Sequence, residues 1–252
     1  MRLQPTGHSQ RKICCAGQPA AETRRWAILD HHVIMMRAMF YGLNAEVKTR
    51  DNYSIPHLIS ACHFARALKE VEQRHSGWGE HWNLALANAS AVQMLVIASL
   101  ESYINEVFVD AHSHFPTVSE PLVRKLSEAF DRKAILEKYE LALLLRDCSI
   151  FDRADEVITD IQLILSLRNS LVHFKPEWTG SEKRHKELSK NLRGKFSLSP
   201  FVPSTSSVFP RGWASYSCCK WSINAAISFL EQFERRSKLP STMDAFKNKL
   251  VI

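Results

Sequence analysis

His81–His112 reads HWNLALANASAVQMLVIASLESYINEVFVDAH, 32 residues without a glycine or a proline. Alanine and leucine recur through it, and both are strong helix formers. The stretch is apolar on more than one side, which predicts a central helix enclosed by others rather than a surface helix with one greasy stripe.

Working outward, the chain continues to read as helix. Upstream, Ser54 and Pro56 open a segment that puts Leu58, Cys62, Ala65, Leu68 and Val71 on one face, and Gly77 and Gly79 close it. Further upstream, Trp26, Leu29, Val33, Met36 and Phe40 recur at helical spacing over Arg24–Val47. Residues 1 to about 22, with Pro5, Gly7, Gly17 and Pro19 among polar neighbours, show no periodicity and are expected to be unstructured.

Downstream, Pro116 and Pro121 bracket a turn, and Ser119 stands as N-cap for a helix over Leu122–Phe130. Further helices are expected over Ala134–Arg146, over Asp155–His173 up to the break at Pro176, and over Ser215–Lys238. Ser241 is placed to cap a short terminal turn. Ser197–Pro210, rich in Ser, Pro and Phe, reads as a loop. The expected fold is all-α, a helical bundle, with residues 1–50 as a partly disordered extension carrying one helix. The helical domain spans 51–252, with its core over about 81–238.

The bulk properties agree. Hydrophobic residues make up 45% and charged residues 23% of the 252, enough apolar surface for a core. Eight glycines are few for a many-turned β fold. The net charge of +7 suits a polyanionic partner. Of six cysteines, Cys14-Cys15 and Cys218-Cys219 are vicinal, and no CxxC spacing occurs. With no apolar leader, the expectation is free thiols in a reducing, cytoplasmic setting. The apolar runs Ala91–Leu100 and Leu141–Leu145 fall short of the roughly 20 residues of a membrane span, so no membrane segment is expected.

Chemistry concentrates at Arg168-Asn169-Ser170-Leu171-Val172-His173. Asn169 and His173, four apart, share a helix face. Arg168 and His173, five apart, lie roughly 140° around the axis, so one helix does not aim both at one point. A two-fold-related copy of the helix would supply the missing partner. The residue types suit phosphodiester chemistry without a metal. Histidine moves a proton near neutral pH, arginine matches phosphate oxygens, and asparagine orients either.

At these residues the chain resembles the HEPN superfamily of helical domains, whose signature is an arginine, a polar residue directly after it, a few further positions and a histidine. The flanks LSLRNSLVHFKPEW resemble the motif helix and its break, and LESYINEV, with Glu101 and Asn105, is similar to the acidic element of an earlier long helix. The resemblance covers roughly His81 to Lys238. It implies a HEPN-type bundle with a loop insertion after the motif helix, dimerising through the motif helices. It implies a metal-independent endoribonuclease, of the kind that serves as toxin or antiviral effector, with RNA and an antitoxin protein as partners. Arg168, Asn169 and His173 would form the catalytic set, with Glu101 supporting it by holding Arg168 or polarising the site. The alternative it leaves open is a non-catalytic module that binds RNA, a nucleotide or a partner protein. Lys175 stands where HEPN toxins regulated by a nucleotidyltransferase commonly carry a tyrosine, so that regulation is not expected here.

Directly after the motif, EKRHKELSKNLRGK over 182–195 holds six Lys/Arg against two Glu, bracketed by Trp178 and Phe196. Phosphate neutralisation with nearby aromatic faces suits RNA, so Lys175, Lys183, Arg184, Lys186, Lys190 and Arg193 are candidate RNA contacts. The pairs His57/His63, His75/His81 and His112/His114 lack the spacing of a helical metal site, and neither a metal nor a cofactor is expected. No GxSxG, P-loop or GxGxxG occurs.

Overall fold

The computed structural model describes residues 50–178 and 183–252. The expectations for the first 49 residues, including the helix over Arg24–Val47, lie outside the described residues.

The described residues form nine α-helices: α1 Ser54–Arg74, α2 Trp82–Val109, α3 Ala111–His114, α4 Glu120–Phe130, α5 Ile135–Leu144, α6 Glu156–Val172, α7 Arg184–Leu192, α8 Tyr216–Ser237 and α9 Thr242–Phe246. No strand occurs among them. The fold is all-α.

Four long helices make the frame, and their directions follow from polar ties. Glu106, near the end of α2, accepts from the N–H groups of Tyr53 and Ser54, both at 2.9 Å, and from the Ser54 hydroxyl at 2.6 Å. The start of α1 therefore sits at the end of α2, and the two run antiparallel. Glu72, near the end of α1, accepts from the N–H of Tyr216 at the start of α8 at 2.8 Å. Asp155, the N-cap of α6, accepts from Gln232 near the end of α8 at 2.6 Å. In the order α1, α2, α6, α8 the directions alternate, which is up-down-up-down bundle topology.

α2 packs on α1, α5, α6 and α8. Fourteen of its 28 residues are buried, too many for a single stripe, in agreement with its expected central place. Ala61 and Ala65 of α1, with Ala85 and Ala89 of α2, are fully buried small residues along this helix pair. Near the far end of α2, Tyr139 of α5 packs edge-on to Phe229 and Phe233, and its hydroxyl donates to the Leu100 carbonyl at 2.8 Å. Beside it, the Tyr103 hydroxyl donates to Glu234 at 2.8 Å, a carboxylate 2% exposed that also accepts from Ser241 and from the Thr242 N–H. Burial and the Glu234 charge push the Tyr103 hydroxyl well above its ordinary range.

Four details differ from expectation. Pro121 sits inside the first turn of α4, and Ser119 occupies the cap position without a side-chain capping bond. The basic segment forms a true helix, α7, which buries His185, Leu188, Ser189 and Leu192. The Ser197–Pro210 loop is a packed part of the core, burying Phe201, Val208 and Phe209, and Gly77 donates to its Pro200 carbonyl at 2.9 Å. Finally, α2 is long and apolar enough to cross a membrane by length and composition, the only such helix among the described residues. The short apolar runs concealed this, because Glu101 and Glu106 come late in the helix; half of its most apolar window is buried inside the fold.

The caps at Asp155, Ser215 and Ser241 each accept from a backbone N–H of the helix they begin. The four described cysteines are free thiols. Burial pushes those of Cys62, Cys218 and Cys219 upward.

Candidate functional site

The site forms where α6 stops. The His173 N–H closes the last turn on the Asn169 carbonyl at 2.9 Å, and the chain then leaves the helix at His173, with φ −107° and ψ 40°. The break comes three residues ahead of Pro176, and residues 174–178 follow without regular secondary structure.

This segment is fastened to α7 by Glu177. Its carboxylate accepts from the N–H groups of His185 at 3.1 Å and Arg184 at 3.3 Å, satisfying two donors at the start of α7. The bonds from His185 and Arg184 hold the Glu177 carboxyl below its ordinary range. His185 itself is buried, with one ring nitrogen 3.0 Å from the Lys175 carbonyl and the other 3.6 Å from Glu177. Ser189 completes the wall. Its hydroxyl accepts from the Phe209 N–H at 3.0 Å and donates to the Phe209 carbonyl at 3.2 Å, clamping the 197–212 loop to α7.

Between these elements lies a groove of about 240 Å³. Asn169, Ser170 and His173 line it from α6, Lys175 and Arg184 add positive charge, and His185, Leu188 and Phe209 form the wall and floor. Every ionisable side chain lining it is a lysine, arginine or histidine.

Of the expected set, Asn169 and His173 are brought together with Lys175 and Arg184. Arg168 does not line the groove. It is half-buried and donates from Nη1 to Asn169 Oδ1 at 3.1 Å, reaching the groove through its neighbour. This matches the angular separation expected from one helix.

Glu101 is elsewhere. It is half-exposed and ion-paired with Lys138 of α5, whose side chain is 4% exposed. The bundle register explains why. Gln93 meets Ser222, Tyr103 meets Glu234, and Asp160 meets Trp221. These rungs set Glu101 level with the start of α6, about 15 residues or roughly 20 Å along the axis from Arg168. Within one chain Glu101 cannot hold Arg168, and the expectation of a supporting role there is corrected: it is the partner of a buried lysine.

The candidate RNA contacts separate too. Lys183, Arg184, Lys186, Lys190 and Arg193 are all exposed. Arg184 faces the groove, Lys186 lines an adjoining cavity, and Arg193 lines a third beyond the end of α7. Lys195 turns away to Asp160 at 2.7 Å, and that carboxylate raises its ammonium above the ordinary range.

Sequence reasoning missed His185, Leu188 and Phe209 as parts of the site. The first two were readable, since His185, Leu188, Ser189 and Leu192 follow helical spacing inside the basic run. Phe209 arrives by a long-range contact that no local pattern announces.

Compared with protein-family models, with curated proteins and with solved structures, the chain matches none.

Proposed function

We propose that this chain is a HEPN-like endoribonuclease that cleaves single-stranded RNA without a metal and works as a homodimer through α6. The observation that carries this reading is the groove at the end of α6, where His173 and Asn169 stand beside Lys175 and Arg184. The cations would neutralise a phosphate, and His173 lies where it can exchange a proton with it.

In the reaction, the ribose 2′-oxygen bonds to the adjacent phosphorus and the bond to the 5′-oxygen breaks. A base takes the 2′-hydroxyl proton and an acid returns one to the leaving 5′-oxygen. The products are a 2′,3′-cyclic phosphate and a 5′-hydroxyl. His173 performs one transfer. His173 of a second copy would perform the other if the exposed stripe Ser166, Asn169 and Val172 packs on its counterpart across a two-fold axis. Arg168 positions Asn169 within its own copy and would face the phosphate held by the second copy. A role as toxin or antiviral effector, with an antitoxin partner, rests on the family resemblance.

One observation favours a second reading. Arg168 stays outside the groove of a single copy, and Glu101 does not reach it. A module that binds RNA, nucleotide or protein in the same groove without turnover needs neither residue there.

The deciding experiment incubates the purified chain with mixed single-stranded RNA in excess EDTA, beside His173→Ala. Fragments ending in 2′,3′-cyclic phosphate from the wild type alone support the ribonuclease. Intact RNA in both, with the protein folded and dimeric, leaves the binding module.

A further inference from the structure

The cavity adjoining the groove, about 370 Å³, shares His185 and Phe209 with it as a common wall. We infer that this cavity is a nucleobase subsite, receiving one unstacked base of a single-stranded RNA whose phosphate lies in the groove. The inference rests on the RNA reading of the groove and adds to it where a base is held.

Three of its lining side chains, Phe174, His185 and Phe209, are rings packed on one another. Phe174, 48% exposed, stacks on the ring of His185 at 5.5 Å and 25°, and His185 meets Phe209 edge-on at 5.0 Å. Phe174 thus presents a held π-face rather than a mobile one, and every base has a face to lay against it. Arg211, over the Trp78 ring at 5.1 Å, brings a guanidinium to the rim. Ser206 and Ser207 bring hydroxyls able to bond a base edge. The one carboxylate lining the cavity, Glu177, is engaged by the N–H groups of α7. The remaining charge is positive, as an anionic strand requires.

The spacing fits a nucleotide. His173 and Phe174 are consecutive, and they line the groove and the cavity respectively. Adjacent Cα atoms lie about 3.8 Å apart, so a phosphate at one residue and its own base at the other are within a single nucleotide's reach.

The test uses a fluorescein-labelled hexamer of 2′-O-methyl ribonucleotides, which cannot be cleaved, and six versions each abasic at one position, read by anisotropy. The expected result is that one abasic position weakens binding to the wild type about tenfold. Phe174→Leu, which keeps an apolar side chain but removes the π-face, should bind the intact hexamer about tenfold less tightly and lose the positional effect. A flat abasic series with the wild type, absence of binding, or a positional effect undiminished in Phe174→Leu would each overturn the subsite. Because the probe is inert, intact RNA in the cleavage assay leaves a positive result here standing. A flat series here equally leaves cleavage standing.

Discussion

Arg168 donates from its guanidinium to the side-chain oxygen of its own sequence neighbour, Asn169, at 3.1 Å. Neighbours on a helix point about 100° apart, so the bond spans that angle and commits one nitrogen of the fork to the asparagine oxygen. The arginine keeps further donors for a phosphate, which a lysine in its place would not present in the same geometry.

Arg168→Lys is therefore expected to lower single-turnover RNA cleavage by about 100-fold, while leaving the melting temperature within a few degrees. Cleavage within threefold of wild type would remove Arg168 from the mechanism.

Glu101→Ala separates a structural acid from a functional one. It strands the Lys138 ammonium, whose side chain is 4% exposed, without its carboxylate. A fully buried pair would cost more; with Glu101 half in solvent, about 1–3 kcal/mol of stability should be lost in urea unfolding. Cleavage per folded molecule should stay within twofold. A large loss of turnover with normal stability would return Glu101 to the site.

Glu177→Gln probes the fastening of α7. The wild-type carboxyl is held low by the N–H groups of His185 and Arg184, so its ionised form stabilises the fold at neutral pH. That contribution is lost as pH falls through the lowered folded value. Wild type should be the more stable protein at pH 7. The gap should begin to close as the pH falls past the ordinary carboxyl range and be gone only below the lowered folded value. A gap that persists in acid would mean that charge is not what holds α7.

Glu72→Gln should act in the opposite sense. Burial raises the Glu72 carboxyl despite its bond from the Tyr216 N–H, so the ionised form is unfavourable in the folded state. The amide oxygen of glutamine keeps the acceptor and removes the charge. The variant should melt higher than wild type at pH 7, and the gain should vanish as pH falls below the ordinary carboxyl range, where both folded and unfolded wild type are protonated. A lower melting temperature at pH 7 would show that the carboxylate's charge is needed at the start of α8.

The frame was legible because long-period burial writes itself into local spacing. Leu58, Cys62, Ala65 and Leu68 marked α1, and Ile158, Ile161 and Ile164 marked α6. Asn169 and His173 were legible as a pair for the same reason, four residues on one face. Glu101 was misplaced because its apolar neighbours speak for burial of the helix, not for the direction of that one side chain. Its partner Lys138 is 37 residues away, a distance over which sequence spacing carries no direction. The Ser197–Pro210 stretch read only as a loop because serine and proline set its composition. Its phenylalanines pack on residues from other parts of the chain, and Gly212 lies so close to the Ser207 carbonyl that a Cβ there would sit at 2.7 Å.

The four frame helices pack on one another directly, whereas the wall of the groove comes from one continuous stretch between the end of α6 and the start of α8. Asn169 and His173 thus stand on a frame helix, while the wall facing them is written in a separate passage of the chain. Changes at Phe174, Arg211 or the exposed face of α7 can alter which molecule is recognised while the bundle's interior stays as it is. Such a division would let the proposed site's recognition change on a frame that does not have to be rebuilt each time.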